Sequence, residues 1–106
     1  ATGLYIEEIE LGTGKTATAG DVATVTYTGQ LSNAATFDAG TYSFTLGSGG
    51  VVPGFDEGVT GMRVGGTRRV VIPPELGYGN SGNGSIPPGS ILIFRFHLDA
   101  LDSDLF

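Results

Sequence analysis

A chain of 106 residues is long enough to bury one hydrophobic core but too short for two, so we expect a single domain. Its formal net charge of -6 disfavours binding to nucleic acid or to an anionic membrane surface. The sequence has no Cys, which excludes disulfides and thiolate metal sites, and we expect neither a metal nor a cofactor.

The sequence also disfavours a membrane protein. No apolar run approaches the roughly 20 residues that a membrane helix needs, and no signal peptide is recognised at Ala1. We therefore expect a soluble protein without a membrane partner. The scarcity of Lys and the many Thr, Ser and Gly residues favour an exported or periplasmic protein over a cytoplasmic one.

The first half of the chain is predicted to be extended. Leu4 to Leu11 mixes apolar and acidic residues and is predicted as a strand that stops at the glycines of 12–14. Val22 to Thr28 is β-branched and alternating, and we expect its face with Val25 and Tyr27 to point inward. Two short extended pieces are predicted next, joined by a bulge or tight loop at 39–41. These pieces are Thr36 to Asp38 and Ser43 to Leu46.

The spacing of apolar residues changes after Pro53 and predicts one short helix. The residues at helical spacing are Phe55, Val59 and Met62. Asp56 and Glu57 fall in the first turn, where the helix dipole favours acidic side chains. Gly58 and Gly61 weaken the helix by about 1 kcal/mol each relative to Ala, so we expect packing to hold it in place.

The last third of the chain predicts two more strands around a loop. Thr67 to Ile72 alternates, which places Arg68 and Arg69 on opposite sheet faces, and we expect a solvated structural role for this pair. Glu75 to Gly89 has little regular pattern. Ile91 to Leu101 is the clearest strand, with a dry face of Leu92, Phe94, Phe96 and Leu98 and a wet face of Arg95, His97 and Asp99. Several antiparallel strands that close on one short helix predict an α+β fold.

The sequence lacks the residues that several kinds of catalysis or binding need. Neither Gly47 to Gly50 nor Gly77 to Gly84 has the strand-to-helix setting or the Lys-Ser/Thr pair of a phosphate-binding loop. The only histidine, His97, lies on the wet face of a strand without a nucleophile motif. Nothing in the local sequence fixes the separation of Asp38 and Glu75, and the chain has no Trp to stack on a sugar, which disfavours glycoside hydrolysis.

The most informative feature is a set of aromatic residues around the turn Val51 to Phe55. Its other members are Tyr27, Phe37, Phe44, Tyr78 and Phe94. With one carboxylate, Asp38, and no nucleophile or metal cluster, this set predicts a pocket for an apolar ring. Tyr78 lies in a loop between two glycines, where we expect its hydroxyl to point into that pocket. Phe96 is assigned to the core.

Six motifs between Val22 and Leu101 resemble, in order, those of the FKBP-type peptidyl-prolyl cis-trans isomerases. They are Val25-Thr26-Tyr27-Thr28-Gly29, Thr36-Phe37-Asp38, Phe44-Thr45-Leu46-Gly47, Val51-Val52-Pro53-Gly54-Phe55-Asp56-Glu57-Gly58, Gly77-Tyr78-Gly79 and Ile86-Pro87-Pro88. The resemblance implies one such domain over residues 1–106 with its core at 22–101. It also implies a five- or six-stranded antiparallel sheet wrapped around the short helix.

The resemblance further implies rotation of X-Pro bonds in peptides and folding proteins as the activity, without a cofactor. By motif position, the catalytic residues are Tyr27, Phe37, Asp38, Tyr78 and Phe94. The substrate-binding residues are Tyr42, Phe44, Val51, Val52, Phe55 and Ile86, with Phe55 as the floor in place of the family's frequent Trp. The resemblance alone implies binding of macrolides such as rapamycin. We expect a monomer.

This sequence departs from the family pattern in two places. The connection after Asp38 is short and lacks a basic residue, which is expected to weaken the support of that carboxylate. The flap from Asn80 to Ser85 is short and rich in Gly and Asn. No second domain is inserted between Ile72 and Ile86, where chaperone-type relatives carry one, so we expect poor chaperone activity. The alternatives are a proline-peptide-binding module without catalysis and a chaperone module.

Overall fold

The computed structural model describes residues 3–84 and 86–102. Within them the strands are β1 (Tyr5–Glu10), β2 (Val22–Leu31), β3 (Thr36–Thr45), β4 (Thr67–Ile72) and β5 (Leu92–Leu101). They form one antiparallel sheet in the order β1-β4-β5-β2-β3. One α-helix, α1 (Pro53–Val59), and a 3-10 turn at Pro74–Leu76 complete the regular elements of these residues. The expected α+β fold is confirmed.

The core lies between α1 and one face of the sheet. Strand β5 follows the predicted alternation, and its four dry-face residues are all buried. Two glycines of α1 allow the helix to sit close to the sheet. A Cβ at Gly54 would lie 2.4 Å from Cγ2 of Ile72, and a Cβ at Gly58 would lie 3.2 Å from atoms of Phe96 and Val70. The close packing of α1 against the sheet therefore depends on the absence of a side chain at Gly54 and Gly58.

The prediction of two extended pieces around residues 39–41 is wrong, because β3 is one continuous strand. Gly40 pairs with Tyr27 on β2 and does not adopt the left-handed backbone that would make a turn. The register shifts elsewhere: Gly29 faces Asp38 while Gln30 faces Thr36. The residue between them, Phe37, is the extra residue of a β-bulge. Pairing with β2 supplies the hydrogen bonds that hold a glycine-containing segment extended.

The expected solvation of the arginine pair is wrong for Arg68, which is only 7% exposed. Its side chain lies on the sheet face that α1 covers, opposite Phe96 on β5. The guanidinium donates to the carbonyl oxygens of Gly58 and Thr60, each at 3.1 Å, and forms an ion pair with Glu8 on β1. Burial is tolerated because every end of the guanidinium has an acceptor.

The helix is shorter than its apolar spacing suggested. Met62 is buried but lies beyond the end of α1, and Gly61 follows the helix with a φ of 91°.

The wet face of β5 carries His97, whose Nδ1 lies 2.7 Å from Oδ1 of Asp99. Among the described residues, no helix is long and apolar enough to cross a membrane.

Candidate active site

A pocket of about 270 Å³ opens between the N-terminal end of α1 and the adjoining sheet face. We call it the aromatic pocket. It is lined by Tyr27, Phe37, Asp38, Tyr42, Gly50, Val51, Val52, Phe55, Tyr78 and Phe94. Four elements contribute: β2, β3, α1 with the residues before it, and β5, together with the loop that carries Tyr78. Nine of the eleven predicted site residues are thus brought together.

Phe55 forms the base of the aromatic pocket and is only 6% exposed. Four rings surround it, with centroids at 5.4 Å (Tyr27), 5.3 Å (Phe44), 5.2 Å (Phe94) and 4.7 Å (Phe96). All four are edge-to-face, the geometry that aromatic quadrupoles favour. The position of the Phe55 ring is therefore determined by its neighbours on three strands.

Tyr27 and Asp38 form the main polar contact of the aromatic pocket. The Tyr27 hydroxyl donates to Oδ2 of Asp38 at 2.8 Å, and Oδ1 of Asp38 accepts the N-H of Ala39 at 2.9 Å. Burial, reinforced by the hydrogen bond to Asp38, raises the pKa of Tyr27 to about 12. Tyr27 is thus a hydroxyl donor at neutral pH, and Asp38, the only carboxylate among the described residues that line the pocket, has both oxygens engaged.

The β-bulge explains how two consecutive residues reach the same pocket. In a regular strand, Phe37 and Asp38 would point to opposite faces of the sheet. The register shift between Gly29 and Gln30 absorbs one residue of β3 at this point, and both side chains border the aromatic pocket.

Two hydrogen-bond donors at the aromatic pocket have no partner within the described residues. The Val52 N-H precedes the helical hydrogen bonds of α1, while the Val52 carbonyl accepts from Phe55 at 3.0 Å. The Tyr78 hydroxyl likewise has no protein acceptor in this part of the chain. Both residues line the pocket and are half-buried. A bound molecule with two acceptor oxygens is the complement of this arrangement.

Sequence reasoning assigned no role to two glycines at the site. Gly29 is buried behind the pocket wall, where a Cβ would lie 2.7 Å from Phe37 and 2.8 Å from Phe94. The missing side chain lets these rings meet at 5.6 Å. A glycine inside a β-branched strand is a signal of such a close approach. Gly50, which lines the pocket directly, follows other turn glycines, and no pattern distinguishes it from them.

Two predicted substrate contacts lie outside the pocket lining. Phe44 is buried behind Phe55 and stacks on Tyr42 with centroids 5.9 Å apart. Ile86 is also buried, and its backbone forms a bridge with Asn83 in the predicted flap. Ser85, the last residue of that flap, lies outside the described residues. Substrate contacts of these residues stay predictions.

The comparisons with known proteins agree on one family. Residues 13–99 match the sequence model described as FKBP-type peptidyl-prolyl cis-trans isomerase. An FK506-binding protein of Neisseria meningitidis serogroup B is 46% identical over 102 residues, which cover 91% of this chain and 94% of that protein. FK506-binding protein 3 of Candida albicans is 45% identical over 103 residues, covering 93% of this chain and 24% of the longer relative.

The fold agrees with that match. The crystal structure of FkpA from Escherichia coli has a TM-score of 0.87 to this chain at 38% identity, over 94% of this chain and 48% of FkpA. The chain therefore spans less than half of some relatives and nearly all of others. With the motifs, the sheet order and the pocket in agreement, this chain belongs to the FKBP-type peptidyl-prolyl cis-trans isomerase family.

Proposed function

We propose that the aromatic pocket binds an X-Pro segment with its proline ring on Phe55, and that the chain accelerates rotation about the X-Pro bond without covalent chemistry. The observation that carries the proposal is the ring-walled pocket over Phe55 with two unpartnered donors at its edge. Among the described residues, the pocket lining contains no Ser, Cys or His, and the proposed reaction uses no nucleophile of those types.

The barrier that such an enzyme must lower is the loss of amide resonance. Rotation about the peptide bond costs about 20 kcal/mol, and uncatalysed X-Pro exchange takes tens to hundreds of seconds. No proton transfer is required. Binding the twisted amide better than either planar form lowers the barrier, and each ~1.4 kcal/mol of that preference raises the rate about tenfold.

The chemistry of the aromatic pocket suits this preference. A twisted amide has less charge separation than a planar one, so an apolar environment penalises it less than the ground state. In the proposed complex, the Val52 N-H and the Tyr78 hydroxyl hold carbonyl oxygens of the peptide. Asp38 orients the Tyr27 hydroxyl through their 2.8 Å hydrogen bond and acts electrostatically, not as a base.

The proposal is tested by two substitutions in the pocket wall. We expect Asp38→Ala and Phe37→Ala each to lower kcat/KM on a short X-Pro peptide by at least about tenfold. Asp38→Ala removes a hydrogen-bonded charge, and Phe37→Ala removes one of the rings that form the pocket wall. Tyr5→Ala is the matched control, since Tyr5 is 58% exposed on β1 and does not line the pocket. Protease-coupled kinetics give the rates, and circular dichroism checks the fold.

Unchanged rates in both pocket variants would overturn the proposal. Exchange spectroscopy by NMR separates catalysis from simple binding, because a binding module shifts the peptide resonances without speeding cis-trans exchange. A chaperone module predicts suppression of aggregation that survives Asp38→Ala. The isomerase proposal requires that the wild-type chain turns over the X-Pro peptide and that both pocket variants do so more slowly.

The same pocket is proposed to bind macrolides such as rapamycin. The support is the aromatic floor and the family membership, with relatives that are named FK506-binding proteins. Calorimetry with rapamycin is expected to show binding that competes with the X-Pro peptide. Binding that does not compete with the peptide would place the macrolide elsewhere.

The setting of this activity is proposed from composition. Folding proteins with X-Pro bonds are the proposed clients, and the chain is proposed to act as a monomer in an exported or periplasmic location. Light scattering of the purified chain tests the monomer, and fractionation of the source cells tests the location. A dimer, or a purely cytoplasmic chain, would contradict the respective proposal.

A further inference from the structure

A second and larger hollow, of about 470 Å³, lies beside the aromatic pocket. We call it the Val51 groove. Its lining includes Ala19, Gly47, Val51, Pro53, Glu57 and Thr60. The apolar residues come from the loop before β2, the loop before α1 and the first residue of α1. Glu57 lies on α1 and Thr60 is the residue that follows its last turn, and both are exposed. None of these residues except Val51 borders the aromatic pocket.

The Val51 groove and the aromatic pocket are adjacent. Val51 lines both, and the consecutive residues Gly49 and Gly50 line the groove and the pocket respectively. The segment 49–51 therefore forms the ridge between them. An extended peptide advances about 3.4 Å per residue, so a chain with its proline on Phe55 reaches across this ridge within a few residues.

The walls of the Val51 groove are held by the fold before any ligand binds. The N-H of Gly47 donates to both carboxylate oxygens of Asp56, at 3.0 and 2.9 Å. The N-H of Gly20, next to Ala19, donates to the carbonyl of Leu46 at 2.9 Å. These hydrogen bonds connect the turn that begins at Gly47 to α1 and to the loop before β2. A ligand therefore meets preformed walls and loses little affinity to ordering them.

The charge of the Val51 groove points to one kind of occupant. Glu57 is exposed and has no hydrogen bond or ion pair within the described residues. Asp56 lies next to it, and the whole chain carries a net charge of -6. A basic side chain is attracted to this rim, whereas an acidic one is repelled. The apolar surface of Ala19, Val51 and Pro53 suits an aliphatic side chain.

We infer that the Val51 groove binds the part of the substrate that flanks the X-Pro bond, and that it selects peptides with an aliphatic residue next to a basic one. This inference rests on the proposed isomerase function and names its substrate class. The aromatic pocket holds the proline, and the Val51 groove contacts peptide side chains a few residues away from it. Short peptides that end before the ridge do not reach the groove.

The test compares one short X-Pro peptide with longer peptides that share its X-Pro bond. The long peptides carry Leu-Lys, Leu-Glu or Ser-Ser about three residues from the proline, placed on either side of it in separate series. NMR exchange spectroscopy gives kcat/KM. For one side, we expect the wild-type chain to prefer Leu-Lys over Leu-Glu by about threefold, the size of an exposed charge pair. We expect a preference of about fivefold over Ser-Ser.

Two variants assign that preference to the Val51 groove. Ala19→Trp fills the groove and is expected to give all the long peptides the same kcat/KM. Glu57→Lys is expected to reverse the order of Leu-Lys and Leu-Glu. Glu10→Lys, at an exposed position on β1 outside the groove, is the matched charge control and is expected to keep the wild-type order. Turnover of the short peptide reports whether each variant is folded and active.

The outcomes separate this inference from the proposed function. If the wild-type chain does not turn over the short peptide, the isomerase proposal fails. If the short peptide is turned over but all long peptides are equivalent, or the preference survives Ala19→Trp, the groove inference alone is overturned. Self-association in sedimentation that Ala19→Trp abolishes would make a second copy the occupant and would also overturn it.

Discussion

Gly54→Ala tests the close packing that positions the floor of the aromatic pocket. The added Cβ would lie 2.4 Å from Cγ2 and 2.9 Å from Cγ1 and Cδ1 of Ile72. Carbon atoms pack best at about 3.5–4.0 Å, so either α1 or Ile72 must move by about 1 Å. Ile72 is fully buried and has no free space to enter. Phe55 follows Gly54 in the helix and is expected to move with it.

The cost follows from two opposing effects. Overpacking a core costs about 1–3 kcal/mol, while replacing a helical Gly by Ala recovers at most about 1 kcal/mol. We therefore expect Gly54→Ala to lower the free energy of unfolding by about 1–2 kcal/mol. Gly58→Ala is the matched control one turn later, where the nearest contacts are 3.2 Å and the propensity gain offsets a smaller strain. Its expected change is within about 1 kcal/mol of zero.

Urea denaturation followed by circular dichroism measures both variants, and kcat/KM on an X-Pro peptide reports the shift of Phe55. Equal stability of the two variants would refute the argument. A second check is a double-mutant cycle with Ile72→Ala, which alone is expected to cost about 2–5 kcal/mol. If the contact with Ile72 causes the strain, the double variant costs less than the sum of the single ones, whereas strict additivity contradicts it.

The remaining predictions concern stability. Arg68→Met is expected to cost about 3 kcal/mol, because it leaves two helix-end carbonyls and the carboxylate of Glu8 without their donor. The neighbouring Arg69→Met, at a half-exposed ion pair, is expected to cost below about 1 kcal/mol, and equal costs in denaturation would contradict this. The raised pKa of Tyr27 stabilises the fold fully below pH 10, and this contribution is lost as pH rises towards about 12. The stability difference between wild type and Tyr27→Phe should therefore shrink over that window, and a constant difference would exclude the linkage.

Features that depend on local repetition were determined by the sequence alone. The alternation of β5 identifies its buried face, because successive side chains of any strand point to opposite sides. The turn before Phe55 and the change of apolar spacing locate α1. The ordered motifs identify the family and nine residues of the aromatic pocket, since residues within each motif keep their spacing whatever the rest of the fold does.

Only the tertiary structure decided features that depend on what lies opposite a residue. Gly40 continues a strand because β2 pairs with it, whereas its own conformational freedom favoured a break. Arg68 is buried because α1 ends above its sheet face and offers two carbonyl acceptors. Gly29 approaches the Phe94 ring, and the two hollows share Val51 as a lining residue; both features join segments that are distant in the sequence. Such contacts arise from packing between elements, and no local pattern encodes the distance between them.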